Sequence, residues 1–375
     1  MNRSVVIGVA VAALVAATVV TWLGVRQQRE FRRLVAAGDA ALRADQTFAA
    51  IEAFSGAIAL KRDAMVAYLK RGDTYRRRGE YAAALRDLRH ASELDGTATR
   101  PIELIGDVTE AMGRHDRAVE AYRRYVAIDD RAPRVLYKLA VSQYRGGRPD
   151  AAIDAVRRAL AIDPHQAESH YLLGICLRAT GKTDASVRAL TQALTISPTL
   201  VVAREELAAV YASIGRRRDE MDQLEALAAL EPERPERLVA VALAYARSNR
   251  LDAALVTLGR AAERFPESSL VSTAIGRVWL EVFDTRGDTD AVMKARAALA
   301  PIVATANASS YTLALYGRAL LRGGDTRAAE RVLQQATAKT PVDPAAFEDL
   351  AVAARQLRHL PIAARAEMQR AALLP

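Results

Sequence analysis

Residues 133–166, PRVLYKLAVSQYRGGRPDAAIDAVRRALAIDPHQ, and residues 167–200, AESHYLLGICLRATGKTDASVRALTQALTISPTL, are two copies of one 34-residue pattern. In both, a small residue stands at the eighth place (Ala140, Gly174), a glycine at the fifteenth (Gly147, Gly181) and a proline at the thirty-second (Pro164, Pro198). Small residues also hold the twentieth and twenty-seventh places: Ala152 and Ala159 in the first copy, Ser186 and Ala193 in the second. Working outward, the stride runs from residue 31 to 268 without insertion or deletion, in blocks starting at 31, 65, 99, 133, 167, 201 and 235. A fixed period of this size marks stacked supersecondary units, each burying its apolar face against the next.

Inside a block the small and apolar residues repeat at helical spacing. Leu136, Leu139 and Ala140 lie on one face of a first helix, A, and Ala152, Val156 and Ala159 on one face of a second, B. Gly or Ala at the eighth and twentieth places lets the two axes approach toward the short end of the usual ~8–10 Å spacing. Glycine at the fifteenth place (Gly79, Gly113, Gly147, Gly181, Gly215) suits the left-handed residue that ends helix A. Pro149 falls in the first turn of helix B, where no amide donor is needed.

Past Pro266 the register stretches. Gly276 is an eighth-place residue, yet the next, Gly317, follows 41 residues later, so the block at 269–309 is the long one. The polar run 284–288 predicts a longer turn there, and AVMKARAALAPIVATA a lengthened helix B. Regular blocks resume at 310 and 344, which makes about ten repeats across 26–375. The expected architecture is an all-α solenoid forming one extended domain, each repeat burying surface only against its neighbours.

The chain is 51% apolar but only 5% aromatic, which predicts a core of Ala, Leu and Val with many close helix contacts. The net charge of +9 raises the question of nucleic acid or an anionic surface. Acidic residues are interspersed throughout and no aromatic-plus-basic RNA motif appears, which argues against nucleic acid. Cys176 is the only cysteine, so neither a disulfide nor a thiol metal cage is available. Five histidines (His90, His115, His165, His170, His359) form no HExxH, and no metal site is expected. The stretch from Gly174 to Thr183 has six residues before its GKT, not the four a phosphate loop needs. With no Gly-x-Ser-x-Gly elbow either, enzyme activity, a cofactor and a small-molecule substrate are not expected.

Residues 1–3 are a short tail before an uncharged run, SVVIGVAVAALVAATVVTWLGV, at 4–25. At helical rise it spans roughly 33 Å, enough for a transmembrane anchor. Trp22 falls at its end, and Arg26, Arg29, Arg32 and Arg33 follow. That positive flank favours a single-pass inner-membrane protein with the solenoid on the cytoplasmic side; the periplasmic side stays open, because large carboxyl-terminal domains are also translocated. Between Gly24 and Gly38 nothing breaks a helix, so the anchor is expected to run on into helix A of the first block.

The places quoted above resemble the tetratricopeptide repeat superfamily over residues 31–375. The resemblance implies a right-handed superhelix whose concave face, lined by helix A places two, five, nine, twelve and thirteen, holds a peptide or protein segment. Here those places gather Tyr137, Tyr144, Arg145, Tyr171, Ile175 and Arg178, the candidate partner-binding residues. An amino-terminal anchor before a long solenoid also resembles bacterial membrane-tethered assembly factors, including the lipopolysaccharide assembly protein B family and cytochrome c biogenesis factors. The resemblance therefore implies a membrane-tethered interaction scaffold, or an exported assembly factor for envelope components or cytochromes.

Overall fold

The computed structural model describes the backbone of residues 3–373 and the side chains from residue 14 onward. All regular structure among the described residues is helical, in two compact units, Met1–Ser197 and Pro198–Pro375. The first unit comprises α1 (Arg3–Arg43), α2 (Thr47–Leu60), α3 (Met65–Arg77), α4 (Tyr81–Leu94), α5 (Thr99–Ala111), α6 (His115–Ile128), α7 (Pro133–Arg145), α8 (Pro149–Ile162), α9 (Ala167–Ala179) and α10 (Thr183–Ile196). The second comprises α11 (Val201–Ser213), α12 (Arg217–Leu230), α13 (Pro235–Arg247), α14 (Leu251–Arg264), α15 (Ser269–Arg286), α16 (Thr289–Val303), α17 (Ser310–Arg322), α18 (Thr326–Thr337), α19 (Pro344–Gln356) and α20 (Leu360–Leu373). Odd-numbered helices are A helices and even-numbered ones B helices, and within each unit every helix packs on the next.

The turn after helix A is made by backbone chemistry at the fifteenth place. Gly79, Gly113, Gly147, Gly181 and Gly215 have φ between 70 and 76°. This lets Gly79 N–H donate to Arg76 O at 3.0 Å and Glu80 N–H to Tyr75 O at 2.9 Å, closing carbonyls the helix leaves open. Asp45, Asn249 and Arg358 hold the same place in their blocks with φ of 57, 57 and 63°.

What joins A to B is a size match. The eighth-place glycine of helix A leaves room for the twenty-fourth-place side chain of helix B: Gly38 for Phe54, Gly106 for Tyr122, Gly174 for Leu190 and Gly317 for Leu333. Those four large side chains are buried, as are the neighbouring Ala50, Ala84, Ala118 and Ala152 at the twentieth place. Each such burial stabilises by roughly 1.5–3 kcal/mol, and the small partner is what permits it.

The stretched block is accommodated differently from the expected long turn. Residues 284–286 continue helix A, giving α15 18 residues where α13 has 13. Gly287 then ends the helix at φ 69°, and the Asp288 side chain accepts from Asp290 N–H to start α16. The extra turn is held by Arg286, which donates to both carboxylate oxygens of Asp252 at 2.8 and 3.0 Å.

Helix α1 runs unbroken for 41 residues, about 60 Å at helical rise. Its later half packs on α2, where Gln27 Nε2 donates to Leu60 O. Of the expected anchor at 4–25, residues 4–13 lie outside the described side chains. Among the described residues no helix is long and apolar enough to cross a membrane. Residues 14–25 are exposed throughout, Leu14 and Val20 at 68% and Trp22 at 59%.

The glycine contacts make a differential prediction. A Cβ at Gly106 would fall inside the Tyr122 ring, which cannot swing away because its hydroxyl donates to Asp107 at 2.7 Å. A Cβ at Gly174 would meet Cγ of Leu190 at 2.6 Å and Cδ2 at 2.7 Å, an aliphatic side chain with no hydrogen bond to hold it. Ala improves helix propensity by about 1 kcal/mol at either site. Overpacking costs ~1–3 kcal/mol, and chiefly at the ring. Gly106→Ala is expected to lower stability by about 1–2 kcal/mol and Gly174→Ala to stay within about 1 kcal/mol of wild type. Urea denaturation of both variants checks this; equal midpoints would contradict the difference between the two sites, and wild-type midpoints in both would contradict the size match.

Candidate functional site

The candidate residues lie on α7 and α9, adjacent A helices of the first unit whose axes come into contact. Tyr137, Tyr144 and Ile175 are half-buried against a core containing Leu136, Leu139, Leu172 and Cys176. Tyr171 is also half-buried, whereas Arg145 and Arg178 are exposed. Burial first, and then the negative charge of Glu168, raises the Tyr137 phenol above its ordinary value, with Arg145 opposing. Tyr137 and Tyr144 therefore pack in part on the core and stay in part open to solvent.

Arg145 is exposed and already paired. Its guanidinium donates to Glu110 Oε1 at 2.9 Å, and Glu110 also accepts from the Ser142 hydroxyl at 2.7 Å and lies 3.1 Å from His115 Nδ1. Glu110 is the last of three carboxylates on α5, Glu103, Asp107 and Glu110, at the fifth, ninth and twelfth places of their block. Tyr137, Val141 and Tyr144 hold those same places one block later.

Glu103 is almost fully buried, its side chain 2% exposed, and takes Arg100 at 2.8 Å, Arg134 at 2.6 Å and Lys138 at 2.7 Å. Asp107 accepts from Lys138 at 2.6 Å and from the Tyr122 hydroxyl. Burial works against the charge of Glu103, but the hydrogen bonds from Lys138 and Arg134 outweigh it and hold the carboxyl at about 2. For Tyr122, burial and then the Asp107 charge push the phenol far up, so it stays a neutral donor.

The face thus runs from a neutralised ion-pair lattice on α5 and α7 to an aromatic and aliphatic stretch on α7 and α9. It offers packing surface and hydrogen bonds rather than reactive groups. Cys176 is buried, and burial alone pushes its thiol up to about 12, so no thiolate is present at neutral pH. No group of three or more His, Cys, Asp or Glu side chains among the described residues is placed to hold a metal ion.

The carboxylates on α5 are the functional neighbours that place-by-place reading missed, although a signal exists. Opposite charges 31 residues apart link the ninth place of one block to the sixth of the next: Asp39 with Lys70, Asp107 with Lys138 and, with signs reversed, Arg318 with Asp349.

Two tetratricopeptide repeat family models match the chain, one over residues 104–167, 137–200 and 316–375 and the other over residues 66–97, together about half of it. No curated protein matches the sequence. Among solved structures, the carboxyl-terminal part of a TPR repeat-containing protein from Cytophaga hutchinsonii aligns over 65% of this chain and 99% of its own, at 16% identity and a TM-score of 0.56. A tetratricopeptide repeat protein from Parabacteroides merdae aligns over 67% and 99%, at 13% identity and a TM-score of 0.50. YrrB, a TPR protein with an unusual peptide-binding site, aligns over 48% and 94%, at 20% identity and a TM-score of 0.44. At these identities the likeness is one of fold.

The Glu103 cluster predicts an acid-sensitive first unit. Folding lowers this carboxyl from its ordinary 4.5 to about 2, so its contribution is present above about pH 4.5 and is lost as the pH falls from there toward 2. Glu103→Gln should cost about 1–3 kcal/mol at neutral pH, since it replaces a buried charged acceptor of three cations with a neutral amide that matches them poorly. The same change should flatten the fall in stability with acid. Urea midpoints of both proteins across that window check it, and an unchanged acid limb in the variant would exclude Glu103 as the responsible group.

Proposed function

Because the chain belongs to the tetratricopeptide repeat superfamily, whose stacked repeats serve as extended binding surfaces, we propose that it holds a protein or peptide segment on the A-helix face of α7 and α9 while α1 tethers it to a membrane. The observation that carries the reading is the row of half-buried Tyr137, Tyr144, Tyr171 and Ile175 beside a lattice whose charges are already satisfied. Rigid rings that stay in part open provide contact area at little conformational cost, which is why Tyr and Arg are favoured interface anchors. A fitting partner segment carries apolar side chains for the rings, with a carboxylate reaching Arg178 at the far edge.

The tether rests on the uncharged run at 4–25 and on the exposure of Leu14, Val20 and Trp22 in the described part of α1. Arg26 lies over the Trp22 ring at 5.5 Å, a pairing suited to the headgroup level where aromatic rings and cations gather. The arginines that follow favour the cytoplasmic side for the repeats. Because α1 is continuous into the first helix pair, the repeats would stand close to the membrane.

Two measurements test this. Tyr144→Ala with Tyr171→Ala is expected to weaken partner capture by roughly 30-fold or more, the scale of a lost hot spot, while circular dichroism stays that of wild type. Capture at wild-type strength would refute the A-helix face. The full-length protein should stay with membranes through a carbonate wash, and a reporter fused at the carboxyl end should be active in the cytoplasm; release by the wash would refute the tether.

A further inference from the structure

The opposite layer of the first unit carries a second regular surface. Among the described residues α3 packs on α5 and α7 on α9, whereas α4, α6 and α8 do not pack closely on one another. Clefts therefore open between B helices, floored by the A helix between them. One of about 380 Å³ lies between α4 and α6 and one of about 460 Å³ between α6 and α8.

The two clefts are built in the same register. Arg89 and Arg124 border the first over Ile105 and Thr109, and Arg123 and Arg158 border the second over Leu139 and Gln143. Each pair sits at the twenty-fifth place of one block and the twenty-sixth of the next. These four arginines are exposed, and none forms an ion pair or hydrogen bond among the described residues. Arg71, Arg100, Arg134 and Arg145 on the A helices are all paired. Glu120 and Asp154 line the clefts singly and leave each with a positive balance. At the floor of the second cleft Gln143 is 4% exposed, and its Oε1 is buried without a hydrogen-bond partner.

We propose that the clefts between α4, α6 and α8 dock an acidic, extended segment of a partner protein, independently of the tyrosine face. The unpaired guanidinium groups take carboxylates, and the apolar floors of Ile105 and Leu139 take apolar side chains. The apolar floors favour a chain with apolar side chains between its acidic groups over a phosphate polymer or a lipid headgroup. No aromatic ring lines either cleft, so single-stranded nucleic acid finds no stacking platform. A polyproline-II segment is extended and repeats its face every three residues, and so turns apolar side chains toward the floors with acidic residues between.

The test uses the full-length protein and a fluorescein-labelled peptide of four Glu-Pro-Leu triplets, with the Gln-Pro-Leu counterpart as control, in fluorescence anisotropy. The acidic peptide is expected to bind more tightly than its neutral control, with affinity falling as salt rises. Arg123→Gln with Arg158→Gln should weaken it about tenfold, the scale of two or three exposed ion pairs. Both arginines are exposed and unpaired, so the variant keeps its fold. Tyr144→Ala with Tyr171→Ala should leave this affinity unchanged, which separates the result from the fate of the tyrosine-face reading. Wild-type affinity in the arginine variant overturns the proposal. So does binding of oligothymidylate or phosphatidylserine vesicles with the same arginine dependence while the acidic peptide does not bind.

Discussion

The structure depends on the contact between an absent side chain and a large one. At Gly38, Gly106, Gly174 and Gly317 helix A has no Cβ, and Phe54, Tyr122, Leu190 and Leu333 of the paired helix B fill the space. A chain with so few aromatic side chains gains its burial from many such contacts rather than from one large core. The first unit's main cluster accordingly runs through six successive helices, α5 to α10, as Val, Leu, Ile and Ala with two tyrosines and Cys176. The arrangement is modular, because each pair satisfies itself, and local, because a fault in one contact is felt mainly by its neighbours.

Stacking the pairs brings a second constraint, which is electrostatic. Neighbouring A helices touch, so charges on their facing sides are brought out of water and have to be matched. The ninth-to-sixth-place pairs do this from Asp39–Lys70 to Arg318–Asp349, and the densest instance surrounds Glu103. On the B helices Asp87 is buried and paired with Arg71, whereas Arg89, Arg123, Arg124 and Arg158 stay exposed and without an ion pair among the described residues. The two layers of the first unit thus differ in kind: one is apolar with satisfied charges, and the other is cleft and carries open guanidinium groups.

That difference supports a scaffold with two sorts of contact. Half-buried rings on α7 and α9 suit apolar anchors, where affinity comes from desolvated area. Arginine-bordered clefts suit acidic chain, where charge speeds encounter and salt weakens it. The Cys176 thiol is buried and neutral, and Tyr122 is held as a donor to Asp107.

Much of this was legible in the sequence for a physical reason. The period of 34, the paired helices, the left-handed turn at the fifteenth place and proline in the first turn of α8 all follow from backbone rules within one block, where neighbours in sequence are neighbours in space. The placement of the seven extra residues did not follow. The run 284–288 is polar and reads as a turn, yet most of it is helix, because Arg286 reaches Asp252 in the preceding repeat. Nor does the sequence place Glu110 of α5 on Arg145, or Lys138 and Arg134 of α7 on Glu103. Those facts depend on which side chains of adjacent blocks face one another across a shared boundary. Only the stacking of the repeats decides that, since burial and pairing there are properties of two helices about thirty residues apart and of neither alone.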